Sequence, residues 1–228
     1  MRVISLFSGG KDSCYATYLA LKRNLEIFTL ISVVPESPES WMFHYPNVEW
    51  THLQAEAMDL PLIKVYTKGE KEKELEDLKS VLVDLVREAK IEGVIHGGVA
   101  SNYQKSRIDR LCKELKLKSI APLWGRDPEE LLKEMLEEGF KFILTGCYAE
   151  GLDKSWLGKV IEKEDLRKLM ELKEKYGIHL GFEGGEVETM VLDAPFFKKK
   201  VKILKARIVK EGEFSWRYVI EDATLEEK

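Results

Sequence analysis

Cysteine and histidine are scarce in this sequence, and the few present stand at spacings that make no metal site. Cys14, Cys112 and Cys147 are an odd, scattered set with no C-x-x-C, which argues against a disulfide framework and against a thiolate zinc site. His44, His52, His96 and His179 show neither H-x-H nor H-E-x-x-H spacing, so a histidine metal centre has no support. Structural, buried or half-buried thiols are the expectation.

An excess of positive charge is also missing. Against 36 Lys and Arg stand 40 Asp and Glu, a formal net charge of −4, so the chain offers no cationic field of the kind that draws in a polyphosphate backbone. Nucleic acid is therefore not an expected partner. No apolar run approaches the roughly 20 residues needed to cross a bilayer, and the N-terminus lacks the layout of a secretory signal. No membrane partner and a cytoplasmic location are the expectation. With 228 residues and 44% apolar content, one large domain or two small ones can bury a core.

Short apolar runs at 3–7, 27–34, 62–66, 94–95 and 142–144 read as strands buried on both faces. Helical patterns lie between and after them, the clearest over 72–89, where Leu75, Leu78, Leu82, Leu85 and Ala89 recur at steps of three and four. Further helices are predicted over 12–22, 50–58, 102–115, 128–138 and 163–176. This alternation predicts an α/β fold with a doubly wound, mostly parallel sheet. After Pro122 the pattern changes, and the runs 189–193, 201–209 and 214–221 read as antiparallel strands with a hairpin turn at 210–213. The expected division is a nucleotide-binding domain, 1–121, and a smaller α+β domain, 122–228.

Directly after the first strand stands Ser8 to Ser13, SGGKDS. Two glycines between a buried strand and a helix permit a sharp turn and leave amides uncovered, and a helix start with hydroxyl neighbours suits phosphate. A tight turn capped by Ser8 or Asp12 explains S-G-G alone equally well. The spacing is that of neither a Walker loop nor a dinucleotide fold.

Two later segments have the same glycine-rich character. HGGVASNYQKSRID, 96–109, ends a strand at Gly97 and Gly98, after which Ser101 or Asn102 is placed to cap a helix. The small donors would sit at the carboxyl edge of the sheet, the usual ligand crevice of open α/β folds. FEGGEVETM, 182–190, crowds Glu183, Glu186 and Glu188 around a glycine pair, where carboxylates can bind a cation or accept a proton. A capped turn and a solvated hairpin approach are the plainer readings of these two segments.

The six-residue string SGGKDS resembles the pyrophosphate loop of the N-type ATP pyrophosphatases. Together with GGVASNYQKSRID and FEGGEVET, in this order and at this length, the chain resembles the diphthine-ammonia ligase family along nearly its entire length, and is closely similar to its short archaeal members. That resemblance implies a Rossmann-like, adenine nucleotide alpha hydrolase-like domain. It implies an ATP-dependent ligase that amidates diphthine on translation elongation factor 2 with ammonium, through an acyl adenylate, releasing AMP and pyrophosphate.

On that resemblance Ser8, Gly9, Gly10, Lys11, Asp12, Ser13, Gly97, Gly98 and Ser101 bind ATP, and Asp12 meets magnesium at its phosphates. Tyr103, Gln104, Arg107, Glu183, Gly184, Gly185, Glu186, Glu188 and Thr189 belong to the acceptor side. Lys11, Asp12 and Glu186 carry the catalytic roles, with Glu186 the first choice to hold ammonium or take its proton. Trp156 or Phe182 could face a trimethylammonium group. No cysteine follows Met1 as an amidotransferase nucleophile, so free ammonia is the simpler nitrogen donor. His44, in WMFHYPN, carries no assignment, and homodimerisation is left open. The competing readings are a tRNA-modifying sulfur transferase with the same loop and a non-catalytic adenine-nucleotide sensor.

Overall fold

A computed structural model describes residues 1–35, 47–68, 73–182 and 185–228. His44, Glu183, Gly184 and the expected helix start at Glu72 lie outside the described residues. The chain divides into two compact units, Met1–Trp124 and Gly125–Lys228.

In the first unit, strands β1 (Arg2–Leu6), β2 (Glu26–Pro35), β3 (Leu62–Thr67), β4 (Gly93–Ile95) and β5 (Lys118–Ile120) form one sheet in the order β3-β2-β1-β4-β5. Every pairing in it is parallel. Helices α1 (Lys11–Lys22), α2 (Thr51–Met58), α3 (Lys73–Ala89) and α4 (Asn102–Glu114) connect the strands, as right-handed crossovers require.

Alternation along β1 explains why both faces are covered. Ile4 packs in a cluster with Leu78 and Leu82 of α3 and Ile108 and Leu111 of α4. Its neighbour Ser5 points the other way, bonding Thr17 of α1 at 2.8 Å. The heptad-like leucines of α3 meet the sheet as their spacing predicts, Leu78 at 0% and Leu82 at 1% exposure. Strand β5 was not legible in the sequence: K-S-I carries one apolar residue and lies at the sheet edge.

The second unit contains helices α5 (Pro128–Glu137) and α6 (Lys163–Tyr176) and strands β6 (Lys141–Cys147), β7 (Val187–Asp193), β8 (Lys199–Gly212) and β9 (Ser215–Glu227). The strands form an antiparallel sheet in the order β7-β6-β9-β8. The run 142–144, grouped by sequence with the buried parallel strands, therefore belongs to the second sheet.

The hairpin also differs from its predicted form. Lys210 pairs with Trp216 and Gly212 with Ser215, so the turn falls at Glu213 and Phe214 rather than over 210–213. The strands also run past their predicted ends, to Lys199–Gly212 and Ser215–Glu227, and Lys and Glu side chains pair across them. Lys202 and Lys200 reach Glu226 at 2.6 and 2.9 Å, and Lys205 reaches Glu221 at 2.8 Å.

Candidate active site

The turn after β1 is built around a position only glycine fits. Gly9 has φ +80°, and a Cβ there would stand 2.3 Å from Gln54 Oε1. The Gln54 amide donates to the Gly9 carbonyl at 2.8 Å from α2 behind the loop. Gly10 is the N-cap of α1, extended at φ −76° and ψ 165°, and no side chain caps the helix.

Ser8 Oγ accepts from the Gly10 amide at 3.4 Å, one residue ahead of the helix. Ser13 donates its hydroxyl back to the Gly10 carbonyl at 3.1 Å and accepts from the Ser8 amide at 3.2 Å. The first turn thus meets the loop without a side-chain acceptor at its N-cap, and the helix dipole adds to its attraction for anions.

Lys11 and Asp12 form a pair at this mouth. The Lys11 side chain is 3% exposed, and its ammonium donates to both Asp12 oxygens at 2.8 and 2.7 Å. Asp12 is 26% exposed at its side chain. Pairing compensates an ammonium that burial would otherwise penalise heavily.

The second glycine turn closes directly on the first. A Cβ on Gly97 would stand 2.7 Å from Asp12 C and from Ser13 N. The ends of β1 and β4 therefore bring two glycine turns together where the strand order changes direction, the switch point at which open α/β sheets bind ligands.

His96, at the end of β4, is 6% exposed and accepts from the Gly98 amide at Nδ1, 3.3 Å. Its Nε2 lies 3.4 Å from Ser119 Oγ, which donates to Asp109 at 2.6 Å, and Lys105 pairs with the same Asp109. Burial above all, with Lys105 adding, lowers the His96 pKa to about 4, against a smaller opposing pull from Asp109. The imidazole is neutral near pH 7 and holds the Gly98 turn.

Ser101 caps α4, accepting from the Gln104 amide at 3.4 Å. Arg107 stacks on Tyr103 at 3.6 Å and lines a cleft of about 300 Å³ against α3, beside Lys79 and Arg110.

In the second unit, β6 and β7 carry the carboxylate turn. Gly146 opposes Glu188, and Leu144 opposes Thr189. The Tyr148 amide donates to the Glu186 carbonyl at 2.7 Å, and the Tyr148 hydroxyl to Glu188 at 3.3 Å. Burial first, then Glu188, raises the Tyr148 pKa, so the phenol stays protonated as the donor. Glu186 Oε1 accepts from the His179 amide at 3.2 Å. Gly185, at φ +77°, is exposed beside it.

Phe182 is 7% exposed and packs in the core, while Lys159 sits over the Trp156 ring at 5.5 Å. Neither placement leaves an aromatic cage on these two rings. All three thiols are buried. Burial pushes Cys112 up to about 11 and Cys147 up to about 12, and raises Cys14 well above the ordinary thiol value. No group of three or more His, Cys, Asp or Glu stands ready to hold a metal among the described residues.

Sequence reasoning missed three residues that shape these turns. Gln54 supports Gly9 from α2, and only tertiary packing brings it there. His96 lay inside the quoted segment but had no signal beyond its place before two glycines. His179 stands seven residues before Glu186 and is joined to it by a bond from its amide to the carboxylate.

Comparison with known proteins follows this geometry. A family model described as the diphthamide synthase N-terminal domain matches residues 1–119, and one described as the diphthamide synthase C-terminal domain matches 127–225. A mouse protein named diphthine--ammonia ligase is 40% identical over 89% of this chain and 83% of its own length. The bovine protein of that name is 37% identical over 92% of this chain and 85% of its own. The Schizosaccharomyces pombe protein of that name is longer: at 34% identity the match covers 100% of this chain and 40% of the other.

Among solved structures, one described as a predicted subunit of tRNA methyltransferase from Methanocaldococcus jannaschii shares 20% identity. It covers 85% of this chain and 99% of that chain with a TM-score of 0.45, a likeness too loose to carry any argument.

Proposed function

Because the chain belongs to the diphthine-ammonia ligase (diphthamide synthase) family, we propose that it amidates diphthine on translation elongation factor 2, consuming ATP and ammonium and releasing AMP and pyrophosphate. The observation that carries this reading is the packing of Gly97 against the backbone of Asp12 and Ser13. It makes one crevice from two glycine turns, with α1 starting at its edge.

In this reading the diphthine carboxylate attacks the α-phosphorus of ATP, an acyl adenylate forms, and pyrophosphate leaves. The loop amides of Gly9 and Gly10 and the start of α1 stabilise the negative charge that develops on the leaving group. Lys11, held by Asp12, is a point charge beside that group.

A single half-buried carboxylate, Asp12, suits a magnesium ion held chiefly by nucleotide phosphates and water. When bound, the ion would neutralise phosphate charge. Ammonia then attacks the acyl carbon, and this reading assigns the contact with ammonium to Glu186. The high thiol pKa values support free ammonia over a cysteine-dependent glutaminase step.

The test is turnover with ATP, ammonium and diphthine-bearing elongation factor 2. AMP release that requires all three, with amide appearing on the factor, is the expected outcome. ATP binding without AMP release would leave a nucleotide sensor, and AMP release dependent on tRNA and a sulfur donor would leave a sulfur transferase.

A further inference from the structure

We propose that Glu186 and His179 together form the ammonium-binding site of the second unit. This inference rests on the ligase reading for its substrate and on two orphaned atoms for its place. Glu186 Oε2 and His179 Nδ1 are both buried, and neither has a hydrogen-bond partner among the described residues. The two residues are already tied together, because the His179 amide donates to the other Glu186 oxygen at 3.2 Å.

A carboxylate oxygen and an imidazole nitrogen buried without partners each carry an uncompensated desolvation cost. A small tetrahedral donor of positive charge removes both costs. Ammonium offers four N–H groups: one meets Glu186 Oε2 and another the lone pair of His179 Nδ1. The carboxylate compensates the charge, as a neutral water could not.

The ring is held for this purpose by its turn. The Phe182 amide donates to the His179 carbonyl at 2.8 Å. A Cβ on Gly181 would stand 2.8 Å from His179 Cε1 and 3.0 Å from Nδ1, so the imidazole lies directly against a glycine. Gly185, adjacent to Glu186, is exposed.

The site also supplies the proton step. Ammonium passes one proton to His179 Nδ1, and the resulting ammonia nitrogen forms a bond to the acyl carbon of the adenylate. The acyl carbon–oxygen bond to AMP breaks, with its electron pair leaving on AMP. The nitrogen gives up a second proton, to Glu186 or solvent, to become the neutral amide.

Two measurements test this on the full chain. With ¹⁵N-labelled histidine, the His179 ring signal, assigned by its loss in His179→Gln, should shift saturably with ammonium chloride. Sodium chloride at equal ionic strength should leave it unmoved, and Glu186→Gln should abolish the response. A ring that ignores ammonium overturns the site, and this holds whether or not the protein proves to be a ligase.

In turnover, His179→Gln should raise the KM for ammonium at least tenfold while leaving the KM for ATP and acceptor-dependent ATP–pyrophosphate exchange unchanged. Hydroxylamine, which is neutral at pH 7.5, should retain most of its rate. An unchanged ammonium KM, or an equal loss with both nucleophiles and in exchange, refutes the role of His179. Absence of AMP formation in the wild type refutes the ligase reading instead.

Discussion

Gly97 lies so close to Asp12 that a methyl group on it would come within 2.7 Å of the Asp12 carbonyl carbon. The atoms it would strike are backbone, at the first turn of α1, so they cannot move aside as a flexible side chain would. Gly97→Ala should therefore part the two turns and raise the KM for ATP by an order of magnitude or more. Gly98→Ala meets only the His96 ring, at 3.1 Å, and should have a several-fold effect at most. Equal effects of the two substitutions on ATP binding would show that the crevice is not the nucleotide site.

Asp12 has two roles that a truncation would confuse. Removing its side chain takes away the carboxylate proposed to meet magnesium at the phosphates and also the partner of the buried Lys11 ammonium. Asp12→Asn keeps the size and one oxygen, and should lower AMP release on the order of a hundredfold or more with a melting temperature within a few degrees of wild type. Wild-type AMP release by this variant would remove Asp12 from the cradle.

Glu186→Gln should separate the acceptor half from the nucleotide half. It preserves the hydrogen bond from the His179 amide but removes the negative charge. Amide formation should fall while ATP affinity stays within twofold. A tenfold loss of nucleotide affinity, about 1.4 kcal/mol, that accounted for the whole defect would assign this turn to ATP.

His96 makes stability depend on acid. Its pKa falls from 6.5 unfolded to about 4 folded, chiefly through burial, so between these values the unfolded chain binds more protons. Stability is then fully present above pH 6.5 and is lost as pH falls through about 4, by about 3 kcal/mol in all. Asp109 and Lys105 face the same network, and Asp109, its own pKa lowered by Lys105 and Ser119 against the effect of burial, titrates below this window. Denaturant unfolding across pH 4 to 7 should show a slope in the wild type that His96→Gln flattens.

The thiols should be inert in the native protein. With Cys112 at about 11, Cys147 at about 12 and Cys14 well above the ordinary thiol value, a thiol reagent at pH 8 should label none of them until denaturant is added. Rapid labelling of one native thiol would reopen a cysteine role in nitrogen delivery.

Much of this protein was legible before its coordinates. The leucine spacing of α3, the β-branched runs of β1 and β2, and Ser101 at the start of α4 are local signals, and local backbone and burial preferences act the same way in any context. SGGKDS could be placed at a strand end by the same reasoning.

Other features depend on residues far apart in the chain. Strand β5 exists because β4 offers it an edge, and β8 and β9 extend past their apolar runs by pairing with each other, as Lys200 does with Glu226. Whether Ser8 or Asp12 would cap α1 was undecidable from order alone, and the folded loop leaves that cap to Gly10. β5 and the hairpin turn apart, the sequence by itself determined which segments become strands, helices and glycine turns, because those choices rest on periodicity and φ freedom within a few residues. Only the tertiary structure decided that Gly97 touches Asp12, that Gln54 supports Gly9, and that His179 and Glu186 bury two unpartnered atoms, because these arise from packing that no local pattern encodes.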